Sequence, residues 1–125
     1  VWHINVAPDV DREQVHVPSM FLQILTENAI IHGLKGWDGH KELTIDVHRE
    51  QRTTVISVSD NGPGFNASNG TFKKKTGMGI ISQTIAITNM HNKNKIRFEI
   101  TNIENNGTVC GCRATLRVPD GVRFL

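Results

Sequence analysis

Alternation of apolar and polar residues recurs in several short segments of the chain and identifies them as strands. Leu43, Ile45 and Val47 are separated by polar residues, and the pattern returns at Ile96–Ile100. Because successive side chains of a strand point to opposite faces, each such segment fits a sheet with one buried face. The pattern predicts strands at Trp2–Val6, Gln14–Val17, Leu43–Val47, Thr54–Asp60, Ile96–Ile100 and Cys110–Val118. In the last of these, both cysteines are predicted to face the core.

Two other segments show the 3.6-residue period of amphipathic helices. The first runs from Ser19 to His32, with Pro18 suited to its first turn and Gly33 to its end. The second runs from about Gly79 to Met90. Its predicted apolar side consists of Ile80, Ile81, Thr84, Ile85, Ile87 and Thr88. Two helices can cover one face of a sheet, so we predict an α+β two-layer sandwich with a mostly antiparallel, mixed sheet. The 125 residues fit one domain, 1–125.

Composition excludes several classes of function. The net charge of +2 is too small to indicate nucleic-acid binding, and Lys73–Lys75 is the only positive run. No segment approaches the ~18 apolar residues that span a bilayer, and no signal peptide begins the chain. The C-x-C pair Cys110 and Cys112 lacks further cysteines for a metal site, so both are expected to be small buried residues. Because the chain starts directly in a strand-like segment, we expect it to be a domain of a longer protein.

Asn28 is a polar residue on the apolar stripe of the first helix. Burying an unpaired amide costs roughly 1–3 kcal/mol, so the side chain needs a partner. A neighbouring backbone group could satisfy it. Alternatively, its carbonyl oxygen faces a cleft and holds a hard cation such as Mg²⁺. Position alone slightly favours the first interpretation.

Asp60 shares its strand face with Ile56 and Val58, so its carboxylate is aimed at the buried side and needs a partner. It begins the segment Asp60-Asn61-Gly62-Pro63-Gly64, whose residues all favour turns. In a binding site, the glycines would let a planar ring approach the backbone, and Asp60 would accept a hydrogen bond from an exocyclic amine.

The segment Gly77-Met78-Gly79 precedes the second helix. It is either a flexible entry into the helix or a phosphate cradle, because free N–H groups and the helix dipole favour anions there. The lysines 73–75 lie on the adjacent loop. Each of these short motifs is a weak signal alone.

The three motifs in this order resemble those of the GHKL ATPase superfamily, which has the Bergerat fold and includes gyrase, MutL and histidine kinases. Leu25–Gly33 is similar to its N box, Asp60–Gly64 to its first glycine box and Thr76–Ile80 to its second. Gly111–Pro119 resembles its final strand. Pro18-Ser19-Met20-Phe21-Leu22-Gln23 precedes the N box as in sensor histidine kinases of the LytS type.

The resemblance implies ATP and Mg²⁺ as cofactors. Asn28 would coordinate Mg²⁺ at the phosphates, Asp60 would bind the adenine amine, and Gly62 and Gly64 would shape the adenine slot. Residues 66–76 would form a lid. The remaining nucleotide contacts would come from the end of that lid and the turn that follows it: Lys75, Thr76, Gly77, Met78 and Gly79.

Three departures from the family pattern stand out. Ile31 occupies a position that usually carries Lys or Arg facing phosphate, so His32 or a lid lysine would have to substitute; His32 is therefore a candidate catalytic residue with Asn28. Cys112 replaces the usual Thr of the final strand. The lid is short, so its ordering could depend on a ligand or partner.

The leading hypothesis is the catalytic domain of a two-component sensor histidine kinase, cytoplasmic in an inner-membrane sensor. Its partners would be an upstream dimerisation and phosphoacceptor domain, a second copy of the full-length protein and a downstream response regulator. An anti-sigma-factor-type serine kinase is the alternative enzyme. Such relatives carry a carboxylate four residues before the Asn, where this chain has Ile24, and Glu27 lies about 100° around the helix. A regulatory module that binds nucleotide without catalysis is the third hypothesis.

Overall fold

The structure, a computed structural model, describes residues 2–8, 10, 19–30, 39–62 and 78–124. These contain two helices and five strands. In chain order they are β1 (Trp2–Val6), α1 (Ser19–Asn28), β2 (Leu43–Glu50), β3 (Thr53–Asp60), α2 (Met78–Met90), β4 (Arg97–Asn105) and β5 (Thr108–Pro119). The predicted strand at 14–17 and the predicted helix end at His32 and Gly33 lie outside the described residues.

The five strands form one mixed sheet in the order β1-β2-β3-β5-β4. β1 is parallel to β2, and every other neighbouring pair is antiparallel. Ile56 and Val58 on β3 lie opposite Leu116 and Ala114 on β5, which builds the buried face from the residues that alternation predicts. The predicted α+β sandwich is confirmed.

The two hairpins turn at residues with positive φ. Gln51 has φ 56° between β2 and β3, and Asn106 and Gly107 have φ 54° and 80° between β4 and β5. Positive φ at both central residues is the geometry that Asn-Gly favours, because its twist matches that of the flanking strands. Asn106 and Gly107 therefore form the turn between β4 and β5.

One buried cluster joins both helices to the sheet. α1 contributes Phe21 and Leu25, Ala29 follows directly after it, and α2 contributes Ile81. The sheet contributes Leu43, Ile45, Val58, Ala114, Leu116 and Val118, with Ile96 just before β4. Since burial of a large aliphatic or aromatic side chain contributes about 1.5–3 kcal/mol, this cluster is the main source of stability and fixes where each helix lies.

The apolar side of α2 differs from the prediction at Ile80 and Ile87, each about half exposed. Ile81 and Thr88 are fully buried, and Ile85 packs partly against the core. These three follow a spacing of four and three residues, which keeps them on one face. Ile80 and Ile87 each precede a buried residue by one position, about 100° around the helix, and therefore face away from the sheet.

Cys110 is exposed, so the prediction that both cysteines face the core is wrong for this residue. The β4–β5 register pairs Ile103 with Gly111 but Glu104 with Val109. Cys110 is therefore the extra residue of a β-bulge, and a bulge shifts the alternation by one position. Cys112 lies beyond it and is buried as predicted; both thiols are free.

Within the ranges that the structure describes, neither helix has the length and apolar content needed to cross a bilayer.

Candidate nucleotide-binding site

Asp60 ends β3 with its carboxylate on the buried face, and only 6% of the residue is exposed. Its Oδ1 accepts a hydrogen bond from the Gly62 N–H at 3.0 Å, and the Cys112 backbone N–H also donates to the carboxyl. Burial raises the pKa of Asp60 above its ordinary value of 3.8, and the two backbone hydrogen bonds oppose that rise. The partners that a buried carboxylate requires are therefore two backbone N–H groups, one in its own turn and one on β5, which hold the group in a fixed orientation.

Gly111 on β5 lies directly against the backbone of Asp60. A Cβ at position 111 would stand 2.1 Å from the Asp60 carbonyl oxygen and 3.3 Å from the Asn61 Cα. Only a residue without a side chain permits this approach, because both neighbours are backbone atoms that cannot rotate away. Gly111 thus sets the position of the turn that carries the carboxylate.

Asn61 ties the same turn to the beginning of β2. Its Oδ1 accepts from the Glu42 N–H at 2.8 Å, and its Nδ2 donates to the His40 carbonyl at 2.6 Å. Its own N–H donates to the Glu42 carbonyl at 3.3 Å. With three hydrogen bonds to one neighbouring segment, two of them from its side chain, Asn61 acts as a structural clamp on the turn.

Asn28 is the last residue of α1, and its Oδ1 is buried without a hydrogen-bond partner among the described residues. Ala29 and Ile30 continue the helix as a wider π-type turn, a feature common at functional sites. An unpartnered buried amide oxygen costs about 1–3 kcal/mol unless something binds it. A carbonyl oxygen is a ligand that Mg²⁺ accepts, so this residue fits the predicted metal role.

The beginning of α2 supplies the third element. The helix starts at Met78, and Gly79 in its first turn is exposed; apart from its chain neighbours and the helix backbone, no described residue has an atom within 4 Å of where a Cβ would stand. The N–H groups of such a first turn lack helical acceptors and favour anions. The first turn of α2 therefore has the properties of a phosphate-binding end.

The core cluster brings these three elements together. Ala29 follows Asn28, Val58 shares the β3 face with Asp60, and Ile81 lies two residues after Gly79; all three belong to the same buried cluster. Five predicted site residues lie outside the described part of the chain: His32, Gly64, Lys75, Thr76 and Gly77. Their assignment stays a prediction, as does the lid.

Cys112 pairs with Asp60 across β3 and β5, and it is 8% exposed. Burial, and then the negative charge of Asp60, raise the pKa of the Cys112 thiol to about 12. The thiol therefore stays protonated at neutral pH and adds no second negative charge beside the carboxylate. No group of three or more His, Cys, Asp or Glu side chains suited to a metal occurs among the described residues.

Sequence reasoning missed two residues of this site. Gly111 was recognised only as part of a strand motif, although a glycine inside a strand is a signal of close backbone approach. Asn61 was grouped with the turn-forming residues, and its clamp on Glu42 depends on a segment 19 residues away. Neither contact can be read without the pairing of the strands.

Two named relatives share sequence with parts of the chain. The sensor protein LytS of Staphylococcus saprophyticus is 45% identical over 63 residues, 49% of this chain and 11% of that protein. The sensor histidine kinase YpdA of Escherichia coli is 28% identical over 96 residues, 76% of this chain and 17% of that protein. The chain thus spans between a tenth and a fifth of the length of these relatives. No protein-family model matches it.

The solved structures that resemble the chain include the nucleotide-free catalytic domain of the histidine kinase ThkA, with a TM-score of 0.65 at 14% identity. The match covers 95% of this chain and 77% of that domain. ThkA in complex with the response regulator TrrA matches with a TM-score of 0.58, at 15% identity and over 95% and 34% of the two chains. The resemblance to histidine kinases predicted from the three motifs is confirmed: this chain has the fold of histidine-kinase catalytic domains and is homologous to LytS-type sensor proteins.

Proposed function

We propose that the chain is the ATP-binding catalytic domain of a sensor histidine kinase and that it uses Mg²⁺-ATP to phosphorylate a histidine outside residues 1–125. The observation that carries this proposal is the Oδ1 of Asn28 at the end of α1, which is buried and has no hydrogen-bond partner among the described residues. An orphaned carbonyl oxygen in a packed region is costly, and a bound hard cation would remove the cost. The similarity to LytS and YpdA supports the same assignment.

Each of the three described elements has a role in this proposal. Asp60, held by the Gly62 N–H, accepts a hydrogen bond from the adenine amine through a carboxyl oxygen. Asn28 supplies an oxygen to Mg²⁺, and the ion neutralises phosphate charge. The N–H groups at the start of α2 face the phosphates. Binding and orientation are then the main contributions of this chain to phosphoryl transfer.

The surroundings of Asn28 favour histidine over serine as the acceptor. Attack by a serine hydroxyl requires a base for its proton, whereas a neutral imidazole nitrogen has a free lone pair. Ile24 packs against the core, one turn before Asn28. Glu27, the acidic residue of α1, is exposed and accepts a hydrogen bond from Gln23 Nε2 at 3.1 Å. No carboxylate of α1 therefore points toward the site.

The partners follow from the same proposal. The kinase ThkA has been solved with a response regulator, and we infer a response regulator as the final acceptor here as well. The phosphoaccepting histidine would lie in a dimerisation region upstream, and the full-length sensor would work as a dimer. The domain would be on the cytoplasmic side of the inner membrane, where ATP is available.

The direct test is phosphoryl transfer in the full-length sensor that carries this chain. With [γ-³²P]ATP and Mg²⁺, we expect label that is stable in base and lost in acid, as for phosphohistidine, and transfer of that label to a response regulator. Base-labile, acid-stable label would instead identify a serine kinase. ATP binding without any transfer would favour the regulatory module, for which Ile31 in place of a basic residue is the supporting observation.

A further inference from the structure

A basic groove lies at the end of the sheet opposite Asp60. Its cavity has a volume of about 720 Å³, and five of the nine lining residues are cationic. The cationic residues are Arg52, Lys93, Lys95, Arg97 and Arg117. Because they come from three separate parts of the chain, no positive run in the sequence indicates the groove. Thr53, the first residue of β3, also lines it. At about 3.3 Å per residue, the groove and Asp60 are roughly 23 Å apart along the strand.

Two of these cations have partners within the domain. Arg117 binds Glu99 at 2.6 Å and lies 3.8 Å from Glu50. Lys95 donates to the carbonyl oxygens of Asn89 and Asn92 at 2.5 and 2.6 Å and thereby caps the C-terminal end of α2.

The acid in the lining, Asp120, is also engaged. Arg49 binds its two carboxylate oxygens at 2.6 and 2.7 Å, so it offers little to the other cations of the groove. The Arg52 carbonyl oxygen accepts a hydrogen bond from the Asp120 N–H at 2.8 Å, and the Arg52 charge lowers the pKa of Asp120 through space.

Three cations remain exposed and form no ion pair with a described residue: Arg52, Lys93 and Arg97. Arg97 stands directly opposite Arg117 in the β4–β5 ladder. Like charges in that position are destabilising, so this arrangement works against stability of the free domain. A destabilising pair of like charges is expected where both charges are needed to bind a partner.

We propose that this groove docks an acidic segment of a partner protein, with Arg52, Lys93 and Arg97 binding clustered Asp or Glu side chains. Arginine forms paired hydrogen bonds with carboxylates, and two of the three free cations are arginines. The lining contains no aromatic residue on which a base could stack, and the whole chain has a net charge of only +2, so nucleic acid fits less well. The distance from Asp60 lets such a partner bind together with nucleotide.

The test is an amide NMR titration of the ¹⁵N-labelled 125-residue chain with an acetylated, amidated hexaglutamate peptide at low salt. We expect shifts at Thr53, at residues 93–97 and at Asp120, and their loss at high salt. Arg97→Glu should weaken binding about tenfold or more. It should not reduce stability, since it places a carboxylate opposite Arg117.

Arg113→Glu is the matched control, because Arg113 is an exposed arginine on the adjacent strand near the Asp60 end of the sheet, with the same change of charge. It should retain most of the affinity. Equal losses in both variants, shifts centred elsewhere, or tighter binding of a single-stranded oligonucleotide of equal charge would each overturn the proposal. Lys93→Glu is the second variant if Arg97→Glu does not fold.

Discussion

Replacement of Gly111 by alanine tests how the sheet positions Asp60, the carboxylate that we propose binds adenine. The added Cβ would stand 2.1 Å from the Asp60 carbonyl oxygen, and real Cβ atoms essentially never come closer than 3.0 Å. The turn at residues 60–61 or the β5 backbone must therefore move by about 0.9 Å. Both neighbours are backbone atoms, so no side-chain rotation can absorb the change. We expect destabilisation of about 1–3 kcal/mol, the usual cost of overpacking.

The same displacement moves Asp60 away from the adenine amine. A hydrogen bond to a charged group contributes about 1.5–3 kcal/mol, so its loss should weaken ATP binding roughly 10- to 150-fold. GTP, which lacks that amine, should lose less. The assay is isothermal titration of Mg²⁺-ATP and Mg²⁺-GTP into folded wild-type and Gly111→Ala protein.

Cys110→Ala is the matched control on the same strand, because Cys110 is exposed at the bulge. It should bind ATP as the wild type does. If folded Gly111→Ala protein binds ATP with unchanged affinity and unchanged preference over GTP, the reasoning about Gly111 and Asp60 is refuted.

Three further predictions follow from burial and exposure. Asp60→Asn should lose the preference for adenine yet raise the free energy of unfolding at neutral pH: burial raises the pKa of Asp60, so this carboxyl stabilises the fold most below pH 3.8 and less as pH rises through the folded-state pKa. Denaturation between about pH 4 and pH 8 should show that the free energy of unfolding of the variant exceeds that of the wild type by an amount that grows with pH. A difference that is constant, or that grows toward acid pH, would contradict a raised pKa of Asp60. A thiol reagent at pH 8 should modify Cys110 quickly and Cys112 only after unfolding, because burial and a pKa of about 12 keep the second thiol protonated; two fast thiols would refute this. Gly79→Ala should stabilise α2 by up to about 1 kcal/mol, since a Cβ there meets open space, and a lower unfolding temperature would show that the position is crowded.

The fold could be predicted largely because its signals are local. The patterns that indicate strands depend on neighbouring residues, and the structure has a strand at each of the five predicted segments that it describes. The burial of Asp60 can be predicted because Asp60 and Val58, two residues apart on one strand, lie on the same face of the sheet. The resemblance of the three motifs then predicts the nucleotide site, several of whose residues lie outside the described ranges.

Features that depend on pairing between distant segments could not be predicted. The exposure of Cys110 arises from a bulge in the β4–β5 register, and Gly111 meets Asp60 only because β5 lies beside β3. Ile80 and Ile87 lie beside the buried stripe of α2, and the sequence alone does not define where an apolar face ends. The basic groove combines residues 52, 93–97 and 117, whose proximity is a property of the sheet.

The claim that Asn28 binds the metal of a Mg²⁺-ATP site is tested most directly by calorimetric titration of ATP with and without Mg²⁺. Wild-type protein should bind ATP with an affinity that rises markedly when Mg²⁺ is present. Asn28→Ala should stay folded and lose that dependence, whereas Gln23→Ala, an exposed change on the same helix, should keep it. Undiminished Mg²⁺-dependent binding by the Asn28→Ala protein would contradict the account.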